Sequence, residues 1–170
     1  GDCHPATPIG INLPNAEWIR ERYGSKSVTL DNITYAYNQA SLNSGVLDEF
    51  AYSDEEKELV RTYGYVGGNV HTDLHECLGH GSGKMLPGVG QEALKNYYST
   101  IEEARADLFA LYYVMDPKLV ELGVIPSLDV AKSEYCNYIR NGLMVQLTRV
   151  KLGNNLEESH MRNRQLIASW

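Results

Sequence analysis

Between Leu74 and Gly83 the chain carries two histidines five residues apart, in the order His75-Glu76-Cys77-Leu78-Gly79-His80, followed by glycines at 81 and 83. No other feature restricts the fold as much. Side chains four apart on an α-helix differ by about 40° around the axis and can converge, whereas side chains five apart differ by about 140° and point apart. If both imidazoles serve one ion, the helix must absorb an extra residue in that turn, as a π-bulge or a loosened turn. Gly79 lies inside the turn, where backbone freedom is greatest. One residue fewer would give the helical His-Glu-x-x-His spacing of zinc proteases, in which the histidines bind metal and the glutamate is the general base.

A catalytic zinc site takes three protein ligands and leaves one position for water. The best source of a third ligand is the start of another predicted helix, "EEARAD". There Glu102 and Glu103 are adjacent, and Asp107 lies one turn beyond Glu103. A plainer reading stands beside this one. Carboxylates early in a helix, and a histidine such as His80 late in one, are favoured by the helix dipole whether or not they bind anything.

The remainder reads as mainly α with a short extended or β segment at the start. Residues 5–15, "PATPIGINLPN", are strand or loop, because proline and its predecessor avoid helix. Asn15 is placed to cap a helix over 16–23 that Gly24 ends, and residues 27–30 form a short strand. Residues 32–40 are weakly helical. Ser53 and Glu56 have capping-box spacing for a helix over 54–63 closed by Gly64, and Asn69 caps the next. Ser99 and Glu102 repeat that spacing before a helix stopped by Pro117. The longest helix is expected over about 128–152, with Ile139, Leu143, Leu147 and Val150 as its apolar stripe and Gly153 at its end. Asn155 and Glu158 cap the last helix. It carries no stop signal, so the chain is expected to be a piece of a longer protein. The expected organisation is one unit over 1–170, with an extended entry over 1–30 and a helical part over 31–170.

Bulk properties exclude some functions. The net charge of −7 lacks the basic footprint of a nucleic-acid binder. No apolar run approaches the roughly 20 residues that span a bilayer. Cys3, Cys77 and Cys136 are an odd set without paired spacing, which argues for a reducing compartment and, with no secretory leader evident, a cytoplasmic protein. Cys77 is expected to face away from the histidines into the core. "GHGSGKM" lacks the spacing of a phosphate-binding loop.

Taken together, His75–His80 and Glu102-Glu103-Ala104-Arg105-Ala106-Asp107 resemble the dipeptidyl peptidase III family of zinc peptidases, whose hallmarks are HExxGH and a downstream EExxA(E/D). The likeness runs from "GINLPN" to "ESHMRNRQ". It implies that this chain is the zinc-bearing part of a larger, two-lobed metallopeptidase. It further implies one zinc per chain, held by His75, His80 and Glu103, with Glu102 orienting a ligand histidine. Glu76 would be the general base, His160 would steady the transition state, and Asn12 and Asn15 would hold the free amino end of a short peptide. The implied activity is release of dipeptides from peptide N-termini, and the implied partner is the remaining lobe. The competing reading is a non-catalytic, metal-stabilised helical module, or an inactive fragment of such an enzyme.

Overall fold

The computed structural model describes residues 8–14, 16–146, 148, 150–153 and 159–170. Helices dominate. The strands among these residues are β1 (Gly10–Leu13) and β2 (Lys26–Thr29), paired antiparallel with Gly10 opposite Thr29 and Leu13 opposite Lys26. Between them runs α1 (Glu17–Tyr23), closed by Gly24 at a φ of 78°. Asn15, expected both as its cap and as a substrate ligand, lies outside the described residues. Next come α2 (Asp31–Leu42), α3 (Val46–Phe50) and α4 (Asp54–Leu74), which continues into a π-helix at His75–His80. A 3-10 segment, Gln91–Tyr97, leads to α5 (Tyr98–Tyr113) and α6 (Pro117–Glu121). Then follow α7 (Asp129–Asn141), a second π segment at Gly142–Gln146, and α8 (Ser159–Ser169). Among the described residues no helix is long and apolar enough to cross a membrane.

The core lies where α4 crosses α7. Val70 of α4 meets Val130 and Ala131 of α7, with Val114 and Ile125 from the intervening chain closing the cluster. The sequence reading divided α4 in two. Its start is as expected: the Ser53 hydroxyl accepts the Glu56 amide at 3.2 Å. Gly64, however, does not end it. Gly64 and Gly67 fall one turn apart on the face that meets α7. An added Cβ would lie 2.9 Å from Asn137 Nδ2 at Gly64, and 3.3 Å from the Val130 carbonyl oxygen at Gly67. These glycines let two helices approach, and packing outweighs their intrinsic cost of about 1 kcal/mol each. Asn69 is not a cap either. Its Nδ2 donates to Asp31 Oδ1 at 2.8 Å and fastens α2 to α4.

Two other helices depart from expectation. No side chain caps α5, because the helix starts at Tyr98 and Ser99 already lies inside its first turn; the Glu102 carboxylate is engaged by His80 and Arg105. The helix expected over about 128–152 is shorter. Here α7 ends at Asn141, and Ile139 and Leu143 of the supposed stripe are 70% and 59% exposed. Its inward face is Val130, Ala131, Ser133, Glu134 and Tyr138. An apolar-periodicity argument misses it because that face is largely polar. Leu147, Asn155 and Glu158 lie outside the described residues.

The tight α4–α7 approach makes neighbouring glycines respond oppositely to substitution. Gly67→Val should destabilise the fold by about 1–3 kcal/mol through overpacking. An added Cβ at Gly68 meets nothing within 4 Å, so Gly68→Ala should stabilise the helix by about 0.5–1 kcal/mol. Urea unfolding of both variants checks this.

Candidate metal centre

The residue in excess between the two histidines is taken up where it has to be. The amide of Gly81 donates to the carbonyl of Glu76, five residues back, at 3.0 Å. This widened turn removes the divergence of an ideal helix. The His75 and His80 rings meet edge to face with centroids 4.6 Å apart. Gly79 is needed here for a reason other than backbone freedom, since it is not at positive φ. A Cβ at Gly79 would lie 2.6 Å from Ala106 Cα and 2.7 Å from Ala106 Cβ. Glycine against alanine thus lets the π-turn press onto α5 and brings His80 to that helix's carboxylates. On the other side, Arg20 of α1 donates to the His80 carbonyl at 2.7 Å and holds the end of the turn.

Each histidine is held from behind by an acid of α5. His75 Nδ1 lies 2.7 Å from Asp107 Oδ1, and His80 Nδ1 lies 3.1 Å from Glu102 Oε1. Glu102 is in turn held by Arg105 Nε at 3.0 Å and Nη2 at 2.6 Å. With both Nδ1 atoms engaged, the two Nε2 atoms face Glu103. Glu103 Oε2 is 3.4 Å from His75 Nε2, 3.6 Å from His80 Nε2 and 3.4 Å from His160 Nδ1 of α8. None of these contacts has hydrogen-bond geometry, so this oxygen is buried without a partner. A carboxylate oxygen buried without a hydrogen bond is costly, and a cation shared among these atoms would satisfy it. The donors of His75, His80 and Glu103 lie within 4.8 Å of one another. The set therefore fits a metal with nitrogen and oxygen preference.

A second group, His71, His75 and Asp107, meets the same distance criterion. It competes for His75, and its members are more deeply buried than His80 and Glu103. Both groups border a cavity of about 760 Å³ that also receives Asn12, Arg20, Glu76 and His160. The atoms of the second group are already engaged with one another, so the less buried His75, His80 and Glu103 are the candidate centre.

The charges follow from these contacts. Burial alone would lower the His80 imidazole, but Glu102 and Glu103 outweigh it and push it up to about 9. Burial alone would raise the Glu103 carboxyl, yet His75 and His80 hold it down at about 2. Glu102 is likewise held at about 2 by His80 and Arg105 against its burial. Glu76 differs: burial dominates and raises its carboxyl above the usual range. It lies under β1, where a Cβ at Gly10 would come 2.8 Å from Glu76 Oε1. Asn12 of β1 is buried beside it. Its Nδ2 is 2.8 Å from Ser27 Oγ, 3.1 Å from the Glu76 carbonyl and 3.2 Å from Ser25 Oγ. Asn12 Oδ1 is buried and has no partner.

The family model of Peptidase family M49 matches residues 3–97, which include Asn12, His75, Glu76 and His80. The chain belongs to peptidase family M49. Dipeptidyl peptidase 3 of Mus musculus is 29% identical over 94% of this M49 chain and 26% of its own length. Nudix hydrolase 3 of Arabidopsis thaliana is 32% identical over 84% of the chain and 19% of its own length. Among solved structures, DPP III from Caldithrix abyssi superposes with a TM-score of 0.67 at 29% identity, covering 95% of this chain and 29% of that one. The chain thus spans about a quarter of the length of the curated relatives it matches.

Of the expected site residues of this M49 chain, the fold gathers His75, Glu76, His80, Glu102, Glu103, Asn12 and His160 around one cavity. Cys77 does not line that cavity, and it is exposed rather than part of the core. The sequence reading assigned no role to Asp107 beyond the acidic cluster, and did not single out His71 or Glu134. One signal was there to be used: His71 precedes His75 by four residues and shares its helix face.

The Gly79–Ala106 contact generates a test. Gly79→Ala should cost about 1–3 kcal/mol in thermal or urea unfolding and weaken metal uptake, because the turn must back away from α5. Unchanged stability and uptake would contradict this role.

Proposed function

We propose that this chain carries the zinc centre of a two-lobed exopeptidase that releases dipeptides from the N-termini of short peptides. The observation that carries this reading is the buried, unpartnered Glu103 Oε2, faced by the Nε2 atoms of two histidines that acids hold from behind. His75, His80 and Glu103 would hold one ion per chain. Zinc, when bound, supplies a Lewis acid that lowers the pKa of water from about 15.7 to about 7.

The chain's own residues do the rest. Glu76 takes a proton from the attacking water and returns it to the leaving amine, and its burial raises its basicity for that task. His160 is half-exposed at the cavity beside Glu103. There it donates to the carbonyl oxygen as negative charge develops, a type of contact worth about 10²–10³ in rate. The unpartnered Asn12 Oδ1 accepts from the substrate's free ammonium, with Asn15 as its companion. Fixing that end two residues from the scissile bond sets the length of the released piece. The remaining lobe lines the other side of the cleft.

For the isolated 170-residue chain the competing reading, a metal-stabilised module with little turnover, is favoured by its quarter share of the relatives' length. Zinc analysis of the chain alone should give about one ion per chain by the stoichiometry of a single His₂Glu site, with dipeptide release far below that of the full-length protein. Equal turnover would refute the need for a second lobe.

In the full-length protein, Glu76→Ala should keep its zinc and lose about 10²–10⁴ in kcat. Glu103→Ala should lose zinc as well as activity. Metal analysis and kinetics on an N-terminally free peptide separate the two. Zinc lost from Glu76→Ala and retained by Glu103→Ala would overturn the assigned roles.

A further inference from the structure

We infer that His71 and Glu134 are an outer positioning pair for the metal centre, holding Asp107 and, through it, the ring of His75. This rests on the zinc reading above. His71 lies one turn before His75 on α4, and its Nε2 is 3.3 Å from Asp107 Oδ1. The same oxygen meets His75 Nδ1 at 2.7 Å. On its far side His71 Nδ1 lies 3.1 Å from Glu134 Oε1 of α7, an ion-pair contact without hydrogen-bond geometry. The Tyr138 hydroxyl donates to the other Asp107 oxygen, Oδ2, at 2.7 Å, and its ring stacks on His71 with centroids 5.5 Å apart.

Both oxygens of Asp107 are therefore engaged by groups from two helices. His71, Asp107, Glu134 and Tyr138 are all buried. An aspartate bonded only to His75 could turn about its terminal torsion and let the imidazole swing. With Oδ1 shared by two histidines and Oδ2 held by Tyr138, that torsion is locked. Glu134 packs over Gly67, where a Cβ would come 3.4 Å from Glu134 Oε2. Buried ionic groups of this kind are an expensive way to gain stability alone, since apolar residues of similar volume usually do as well. Their arrangement makes sense as a means of orienting a ligand. Partners behind metal-ligating histidines commonly govern affinity by about 10–100-fold.

The test uses the full-length protein in three measurements: zinc affinity against a competing chelator, the visible spectrum of the cobalt-loaded protein, and metal-free melting temperature. His71→Leu should weaken zinc binding by about tenfold and shift the cobalt bands. His71→Gln, which keeps an N–H within reach of Asp107, should restore most of the affinity. Glu134→Gln should shift the cobalt bands in the same direction, and it decides the matter if His71→Leu does not fold. A lower melting temperature with unchanged affinity and spectrum would mean a purely structural pair and overturn the inference. His80→Ala keeps the two failures apart. It should abolish zinc binding if the centre is His75, His80 and Glu103. Zinc retained in His80→Ala but lost in His71→Leu would put the ion on His71, His75 and Asp107, overturning this inference and the proposed function together. Loss of zinc in His80→Ala with wild-type behaviour in the His71 and Glu134 variants would overturn this inference alone.

Discussion

The i→i+5 turn from His75 to His80 is the constraint on which the rest depends. A regular α-helix would send the two imidazoles to different sides of α4. The widened turn is a poor use of backbone hydrogen bonding by itself, and π-helix of this kind is rare and concentrated at functional sites. It is held by contacts on both flanks. Gly79 lies against Ala106 of α5, and Arg20 of α1 holds the His80 carbonyl. The turn is thus fitted between α5 and the N-terminal α1 with its two strands, and the local distortion is over-determined by packing.

From that turn a layered alternation of acid and base spreads into the interior. Glu103 faces the two Nε2 atoms, while Asp107 and Glu102 back the two Nδ1 atoms. His71, Glu134 and Tyr138 back Asp107 in turn. Burial of one such charge alone would be prohibitive, and each is tolerable because its neighbour is opposite or donates a hydrogen bond. This also accounts for the composition of α7. Its inner face supplies Ser133, Glu134 and Tyr138 where a helix built only for stability would supply leucine. The helix packs closely because Gly64 and Gly67 of α4 leave room for it.

Several features were legible in advance because they rest on local rules. The Ser53 cap, the Gly24 stop, the short extended segments near the N-terminus and the mainly helical class all follow from residue type and spacing. Features that depend on a partner were not legible. Gly64 reads as a helix end until α7 is seen against it, and Asn69 reads as a cap until Asp31 is seen beside it. Ile139 and Leu143 have helical spacing, yet they are exposed, because polar residues of the same helix are drawn inward by the charged interior. Apolar periodicity fails where the core itself is polar.

The sequence by itself determined that His75 and His80 could meet only through an inserted residue, since the angular step of a helix leaves no other way. It also placed Glu102 and Glu103 side by side, with Asp107 one turn beyond, on one helix. Tertiary structure alone decided which nitrogen of each histidine faces the cavity. That depends on where Asp107 and Glu102 arrive in space, and a side chain's second hydrogen bond is not encoded in its spacing from the first. Packing of α5 and α7 against α4 likewise decided that His71, Glu134 and Tyr138 join the same network, because buried charges are stable only where partners from other helices reach them.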